Sequence, residues 1–198
     1  MKSAIKLILK RWYIYLVAII VAVTGSVYYC NFINMPRNEE TISLFISSYS
    51  SNNNELLSHL KEKSPSYLRE INILSVSPKS PDFDYFIVNK GFNKADIFIL
   101  HESFLFDELI NKQFSPLKED VLNNYFTYSS DSSSKGILIH KKDEEDHGLI
   151  TFKNERYEDE NYYLFYRINS LHIKGLNDKA KVDTALLFTK ELLNYEKK

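Results

Sequence analysis

Hydrophobic and polar positions divide this chain into one continuous apolar block and a longer stretch of short, interrupted runs. Trp12 to Cys30 is apolar over about nineteen residues, and at a helical rise of about 1.5 Å each it matches the thickness of a bilayer's hydrocarbon core. The pattern predicts a membrane-crossing helix. Lys2, Lys6, Lys10 and Arg11 precede it without an acid, while Arg37 is followed at once by Glu39 and Glu40. The positive-inside rule therefore places the N-terminus in the cytoplasm and everything after Cys30 outside it. Trp12, Tyr13 and Tyr15 at one end, and Tyr28 and Tyr29 at the other, suit the two aromatic belts. The block is longer than a signal-peptide core of about 7–15 residues, and no small-x-small cleavage pattern follows it. Val27, Tyr28 and Tyr29 are too bulky to make Cys30 a lipidation site. The segmentation expected is a basic cytoplasmic tail over 1–11, a transmembrane helix over 12–30, a linker over 31–40 and one extracytoplasmic domain over 41–198.

Beyond the linker, Ile42 to Ile46 is an apolar run rich in β-branched and aromatic residues, ending in the polar stretch Ser47 to Asn54. That reads as a buried strand followed by a loop whose Ser and Asn residues cap a helix carrying Leu56, Leu57 and Leu60 and ending before Pro65. Ile71 to Val76 gives a second strand, closed by Ser77-Pro78-Lys79-Ser80-Pro81. Phe83 to Val88 reads equally as a short helix or an extra strand. Ala95 to Leu100 is a third continuous apolar strand, entered through a turn at Asn89-Lys90-Gly91. Strands apolar on both faces need helices on both faces. The fold class expected is therefore α/β, with a mostly parallel or mixed sheet flanked by helices.

The remainder continues with a short helix around Phe106 to Asn111 and a helical turn opened by Pro116 and running to Phe126. Ser129 to Ser134 reads as a polar loop. Gly136 to His140, Leu149 to Phe152 and Tyr162 to Ile168 read as strands, with Lys141 to Gly148 a solvated hairpin loop between the first two. A last helix, from about Asp183 to Tyr195, carries Ala185, Leu186, Leu192 and Leu193 at helical spacing.

Composition and charge then narrow the partners. The net charge of −1 becomes −5 once the four N-terminal cations are set aside, which disfavours nucleic acid and anionic membrane surfaces as partners of the outer domain. Cys30 is the chain's one cysteine, so the outer domain folds without a disulfide. No Gly-rich phosphate loop, P-loop or CxxC motif occurs, and no cofactor is expected.

The order of segments resembles a known family. ISLFISSYS, a helix, EINILSVS, ADIFILHES, FSPLKEDVLNNYF, KGILIH and NYYLFYRINSLHIKG are similar to the extracellular solute-binding proteins of bacterial ABC importers, with their type 2 periplasmic-binding fold. In that family a strand leads into a ligand-facing loop, and an "aDI" strand ends at the cleft. The stretch Leu164 to His172 with Gly175 corresponds to a "lyYNkdlf...G" segment, and Gly136 to the glycine of a "yGiP" strand whose proline is replaced here by Ile139 or His140. The family is about twice this length and has two lobes, so the resemblance implies about one lobe. It implies a small polar ligand and an ABC permease subunit as partners.

In an open parallel sheet, ligands sit at the strands' C-terminal ends, near a topological switch point. The ligand-binding candidates are therefore Ser48, Tyr49, Ser50, Ser51 and Asn52 after the first strand, and His101, Glu102 and Ser103 after the third. The plainer account of the first group is a helix-capping loop, and of the second a polar strand terminus. A hydrolase built on His101 or His140 would need a serine or carboxylate within reach of either ring, and no nucleophile elbow is present. Asp143-Glu144-Glu145-Asp146-His147 lacks EF-hand spacing and reads as a solvated face, so no metal is expected. The function expected is a membrane-anchored, non-catalytic binding protein, a reduced solute-binding or accessory component of an ABC transporter. The alternatives are an interaction or structural protein with a vestigial cleft and, more weakly, a hydrolase.

Overall fold

The computed structural model describes residues 11–117, 127–130, 133–146, 149–154, 159–173 and 183–196. The chain forms two units, Met1–Arg37 and Asn38–Lys198. In the first, helix α1 (Trp12–Asn34, 23 residues) has no buried residue. It is long and apolar enough to cross a membrane. The hydroxyls of Thr24 and Ser26 donate to the carbonyls of Ile20 and Ala22 at 2.8 and 2.7 Å, so neither exposes an unbonded polar group on the helix surface. The helix runs four residues past the apolar block and stops at Met35, which is extended ahead of Pro36.

The second unit begins with a 3₁₀ turn (Asn38–Glu40) that feeds β1 (Thr41–Ser47). Then come β2 (Ser50–Ser51), α2 (Asn53–Lys63) and β3 (Glu70–Val76). A continuous helical segment follows, made of α3 (Phe83–Phe86), a π turn (Ile87–Gly91) and α4 (Phe92–Lys94). β4 (Ile97–His101), a 3₁₀ turn (Glu102–Phe104) and α5 (Asp107–Gln113) come next. The remaining described elements are β5 (Thr127–Ser130), β6 (Ser133–His140), β7 (Ile150–Thr151), β8 (Tyr162–Tyr166) and α6 (Thr184–Glu196).

Six strands form one mixed sheet in the order β3-β1-β4-β8-β6-β5, and β2 and β7 form a separate two-stranded ribbon. β1 is parallel to both neighbours, whereas β8 is antiparallel to β4 and β6. The fold class is α/β, as the strand pattern predicts, with the sheet mixed. Its two faces hold separate cores. Ile42, Leu44, Ile46, Ile97 and Ile99 pack with Leu56 and Leu60 of α2 and Phe188 and Leu192 of α6. On the other face Phe45, Phe98, Phe165 and Val76 pack with Phe83, Ile87 and Ile110. Each face of β1 is thus covered by helices, which is why its sequence is apolar at nearly every position.

One open alternative is resolved and several expectations are corrected. Phe83 to Val88 is helical, because Phe83, Ile87 and Gly91 recur every fourth residue and all three are buried. For the same reason Asn89-Lys90-Gly91 is part of a π turn and not an open turn. Ser129, Ser130, Ser133 and Ser134 lie in the paired strands β5 and β6, where backbone pairing and the Ser129–Ser134 and Thr127–Ser134 hydroxyl contacts at 3.2 Å override their loop-forming composition. Lys141 to Asp146 does not close a hairpin, since β6 pairs with β5 and β8 while β7 pairs with β2. The helical turn expected up to Phe126 and residues 147–148 lie outside the described residues beyond Leu117 and Asp146.

Candidate functional site

β1 lies between two parallel partners that the chain reaches in opposite directions, first β3 and then β4, so the topological switch of the sheet falls at β1. Ile46 and Ile99 are the last residues paired between β1 and β4. Two residues on, Ser48 follows the end of β1 and His101 ends β4. The parallel pairing of β1 and β4 thus places the two groups singled out in the sequence on the same edge of the sheet.

The first group is largely tied down. Ser48 is buried, and its amide donates to Val76 O at 3.1 Å. The amides of Tyr49 and Asn52 donate to Thr151 O and Leu149 O, both at 2.9 Å, and Ser50 and Ser51 pair with Thr151 and Ile150. Ser50 and Ser51 are therefore strand residues, not loop residues. The Ser51 hydroxyl lies 2.5 Å from Asn53 Oδ1 and 2.7 Å from Ser75 Oγ. Asn52 caps α2: its Oδ1 accepts from Glu55 N at 3.4 Å and its Nδ2 donates to Glu55 Oε2 at 3.0 Å.

The second group forms a polar buckle between the end of β4 and the residues leading into β8. His101 Nδ1 lies 2.7 Å from Ser103 Oγ and 3.4 Å from Glu160 Oε2, while Ser103 N donates to the same carboxylate oxygen at 2.9 Å. Glu102 N donates to Asn161 O at 2.9 Å, and Asn161 Nδ2 donates to Glu102 Oε2 at 2.7 Å. Lys79 Nζ stands 3.9 Å from Glu160 Oε1. His101 is only 6 % exposed and packs against Phe83, Phe104 and Tyr162. Burial lowers its pKa, although Glu160 beside it acts in the opposite sense. Burial thus favours the neutral ring, and its Nε2 is buried with no hydrogen-bond partner among the described residues. The Glu160 carboxyl is lowered, because its bonds from Ser103 and His101 together outweigh its own burial.

Sequence reasoning missed two residues that complete this edge, Glu160 and Asn161, and named His140 only as a hydrolase candidate; Tyr162 and His140 complete the edge from β8 and β6. The Tyr162 ring sits between His101 and His140, at 6.3 and 6.1 Å, and its hydroxyl donates to Phe152 O at 3.2 Å. Burial raises the Tyr162 hydroxyl far above the usual phenol range, with Tyr49, Glu160, Asp159 and Asp146 adding to the effect. His140, 5 % exposed, stacks near Phe152 at 5.1 Å and has Asp146 3.9 Å away. Its Nε2 is likewise buried without a hydrogen-bond partner among the described residues, as are the hydroxyls of Ser47 and Ser48. One signal was available: Glu160 and Asn161 stand immediately ahead of the aromatic strand Tyr162–Tyr166.

The contact that a hydrolase needs exists, since Ser103 Oγ is within hydrogen-bond reach of His101. Its arrangement differs from a nucleophile–base–orienter relay, in which the two partners use opposite ring nitrogens. Here both Ser103 and Glu160 fall on Nδ1, and the Ser103 amide is already bonded to Glu160. Among the described residues no group of three or more His, Cys, Asp or Glu side chains could hold a metal ion.

No protein-family model and no curated protein matches the chain. Among solved structures it is similar to an extracellular solute-binding protein from Staphylococcus aureus in complex with maltose, with a TM-score of 0.37 and 10 % identity. The alignment covers 50 % of this chain and 28 % of that one, so this chain spans little more than a quarter of that protein's length.

Proposed function

We propose that the chain is a membrane-anchored, extracytoplasmic, non-catalytic binding protein that takes a small polar ligand at the C-terminal ends of β1 and β4, beside an ABC permease. One observation carries this reading: among the described residues, four buried side-chain polar atoms without a hydrogen-bond partner lie at or just beyond the C-terminal ends of β1, β4 and β6, on one edge of the sheet. Ser47 Oγ and Ser48 Oγ stand at the end of β1, with His101 Nε2 at the end of β4 and His140 Nε2 at the end of β6. Leaving a buried donor or acceptor unpaired costs about 1–3 kcal/mol, and hydroxyls or amides of a ligand would recover it. The test is thermal shift of the full chain in detergent against sugar and peptide panels, with a pull-down from membranes for a transporter subunit. Binding lost on Ser48→Ala or His101→Phe supports the reading, and silence in both assays overturns it.

A second reading has its own support. Ser51, Asn53 and Ser75 bond to one another, and β7 covers the loop after β1, which suits an interaction protein whose crevice is closed by its own groups. That reading expects a captured membrane partner, no small-molecule shift and no effect of Ser48→Ala. Ester hydrolysis abolished by Ser103→Ala would overturn both.

A further inference from the structure

A groove of about 360 Å³ opens between β3 and the helical segment that contains the π turn. It lies toward the starts of β1 and β3, at the other end of the parallel strands from Ser48 and His101, and does not rest on the reading given above. Register explains its floor. Ser43 pairs with Asn72 and Phe45 with Leu74, so these four side chains share one face of the sheet. Along that face the groove changes from half-buried Leu74, beside the buried Phe45, to polar Ser43 and Asn72, with Glu70 beyond them.

The opposite wall carries Lys90, in the π turn, and Lys94, one helical turn further on. Gly91 between them lets this wall sit directly on the sheet: a Cβ there would lie 3.1 Å from Phe98 and 3.3 Å from Phe45. π turns are rare and recur at functional sites. Lys90, Lys94 and Glu70 are all exposed, and among the described residues none is paired with an opposite charge. Lys90 and Lys94 repel each other at this spacing. Two cations therefore face one carboxylate across a floor that offers a hydroxyl, an amide and an apolar end.

We infer that this groove binds a small zwitterion with an apolar side chain, its carboxylate against Lys90 and Lys94 and its ammonium against Glu70. A simple anion would meet Glu70, and a simple cation would meet both lysines. The volume lies at the small end of ligand sites, which run from about 300 to 1,000 Å³.

Calorimetric titration of the full chain in detergent micelles with leucine and glycyl-leucine, N-acetyl-leucine and leucinamide tests this. Saturable binding of the zwitterions is expected, with both blocked leucine derivatives weaker. Lys90→Ala/Lys94→Ala and Glu70→Gln should each weaken zwitterion binding by about two- to fivefold, the order of an exposed charge contact. Lys112→Ala, on α5, should leave it unchanged. All three positions are exposed, so the fold is not at stake. No saturation at about 10 mM, where even a millimolar site fills, overturns the assignment. So does N-acetyl-leucine binding as tightly as leucine, or full binding by Lys90→Ala/Lys94→Ala.

Discussion

Gly136 shows how one residue type is forced by packing across a sheet. It lies opposite Phe165, whose ring stacks on Phe114 at 4.8 Å and occupies the space a side chain at 136 would need. A Cβ there would lie 2.6 and 2.8 Å from Phe165 ring atoms and 3.2 Å from Tyr128 Cβ. Phe165 is fully buried and cannot swing away, so Gly136→Ala should destabilise the domain by about 1–3 kcal/mol, the usual cost of overpacking. Chemical denaturation of wild type and variant measures it, and an unchanged midpoint would show that the two strands separate more easily than their packing implies. His101 and His140 make a second residue-scale prediction. Both pKa values lie below the ordinary 6.5, chiefly because burial disfavours the charged ring. Glu160 and Lys79 act on His101, and Asp146, Asp159, Glu144 and Lys153 on His140, without reversing that direction. The unfolded chain therefore takes up more protons than the folded one just below pH 6.5, and stability falls as pH drops from there toward the folded pKa values. The Glu160 carboxyl, lowered in the fold, adds a further loss below about 4.5. The Asp96 carboxyl, raised by burial, acts in the opposite direction to Glu160 as pH falls. Melting curves across pH 5 to 7.5 for wild type and for His101→Gln/His140→Gln isolate the histidines: the variant should show the flatter slope, and equal slopes would refute their role.

At the scale of elements, what could be read from the sequence was whatever depends on neighbours in the chain. The cap of α2 is such a case, because Asn52 and Glu55 stand three residues apart and bond reciprocally. Asn52→Ala should cost about 1 kcal/mol, readable as a lowered melting temperature; a neutral effect would mean that the β2–β7 pairing, not the cap, fixes where α2 begins. The strands β1, β3, β4 and β8 were equally legible, since each is apolar on both faces or nearly so. What escaped was set by distant partners. The insertion of β8 between β4 and β6 carries Glu160 and Asn161 to His101 and Ser103, and brings Tyr162 and His140 together; nothing near His101 in sequence announces a carboxylate fifty-nine residues away. The serines of β5 and β6 were misread because local composition favours turns there, whereas pairing across the hairpin decides. Phe83 to Val88 stayed ambiguous because a short apolar run fits either period, and only burial of Phe83, Ile87 and Gly91 on one side selects the helix.

For the whole molecule the question is how α1 governs the address of the α/β unit. A helix of 23 residues with no buried side chain would expose its apolar surface to water in solution, a cost that scales with area, whereas a bilayer removes it. At about 1.5 Å per residue it reaches roughly 35 Å, enough to span the hydrocarbon core with some tilt. By the positive-inside rule, Lys2, Lys6, Lys10 and Arg11 on one side, against Glu39 and Glu40 on the other, would favour a cytoplasmic N-terminus for such a span. The full chain should therefore remain with membranes after alkaline carbonate extraction, and a chain lacking residues 1–37 should not. Protease added outside intact bacterial spheroplasts should digest the 38–198 unit and spare an N-terminal tag. Replacing the four N-terminal cations with glutamate should impair or invert that pattern. The mass of the mature chain separates an anchor from a signal peptide: retention of Met1–Arg37 is the expected result, and loss of that segment would make the 38–198 unit a released protein whose binding could not depend on standing beside a permease.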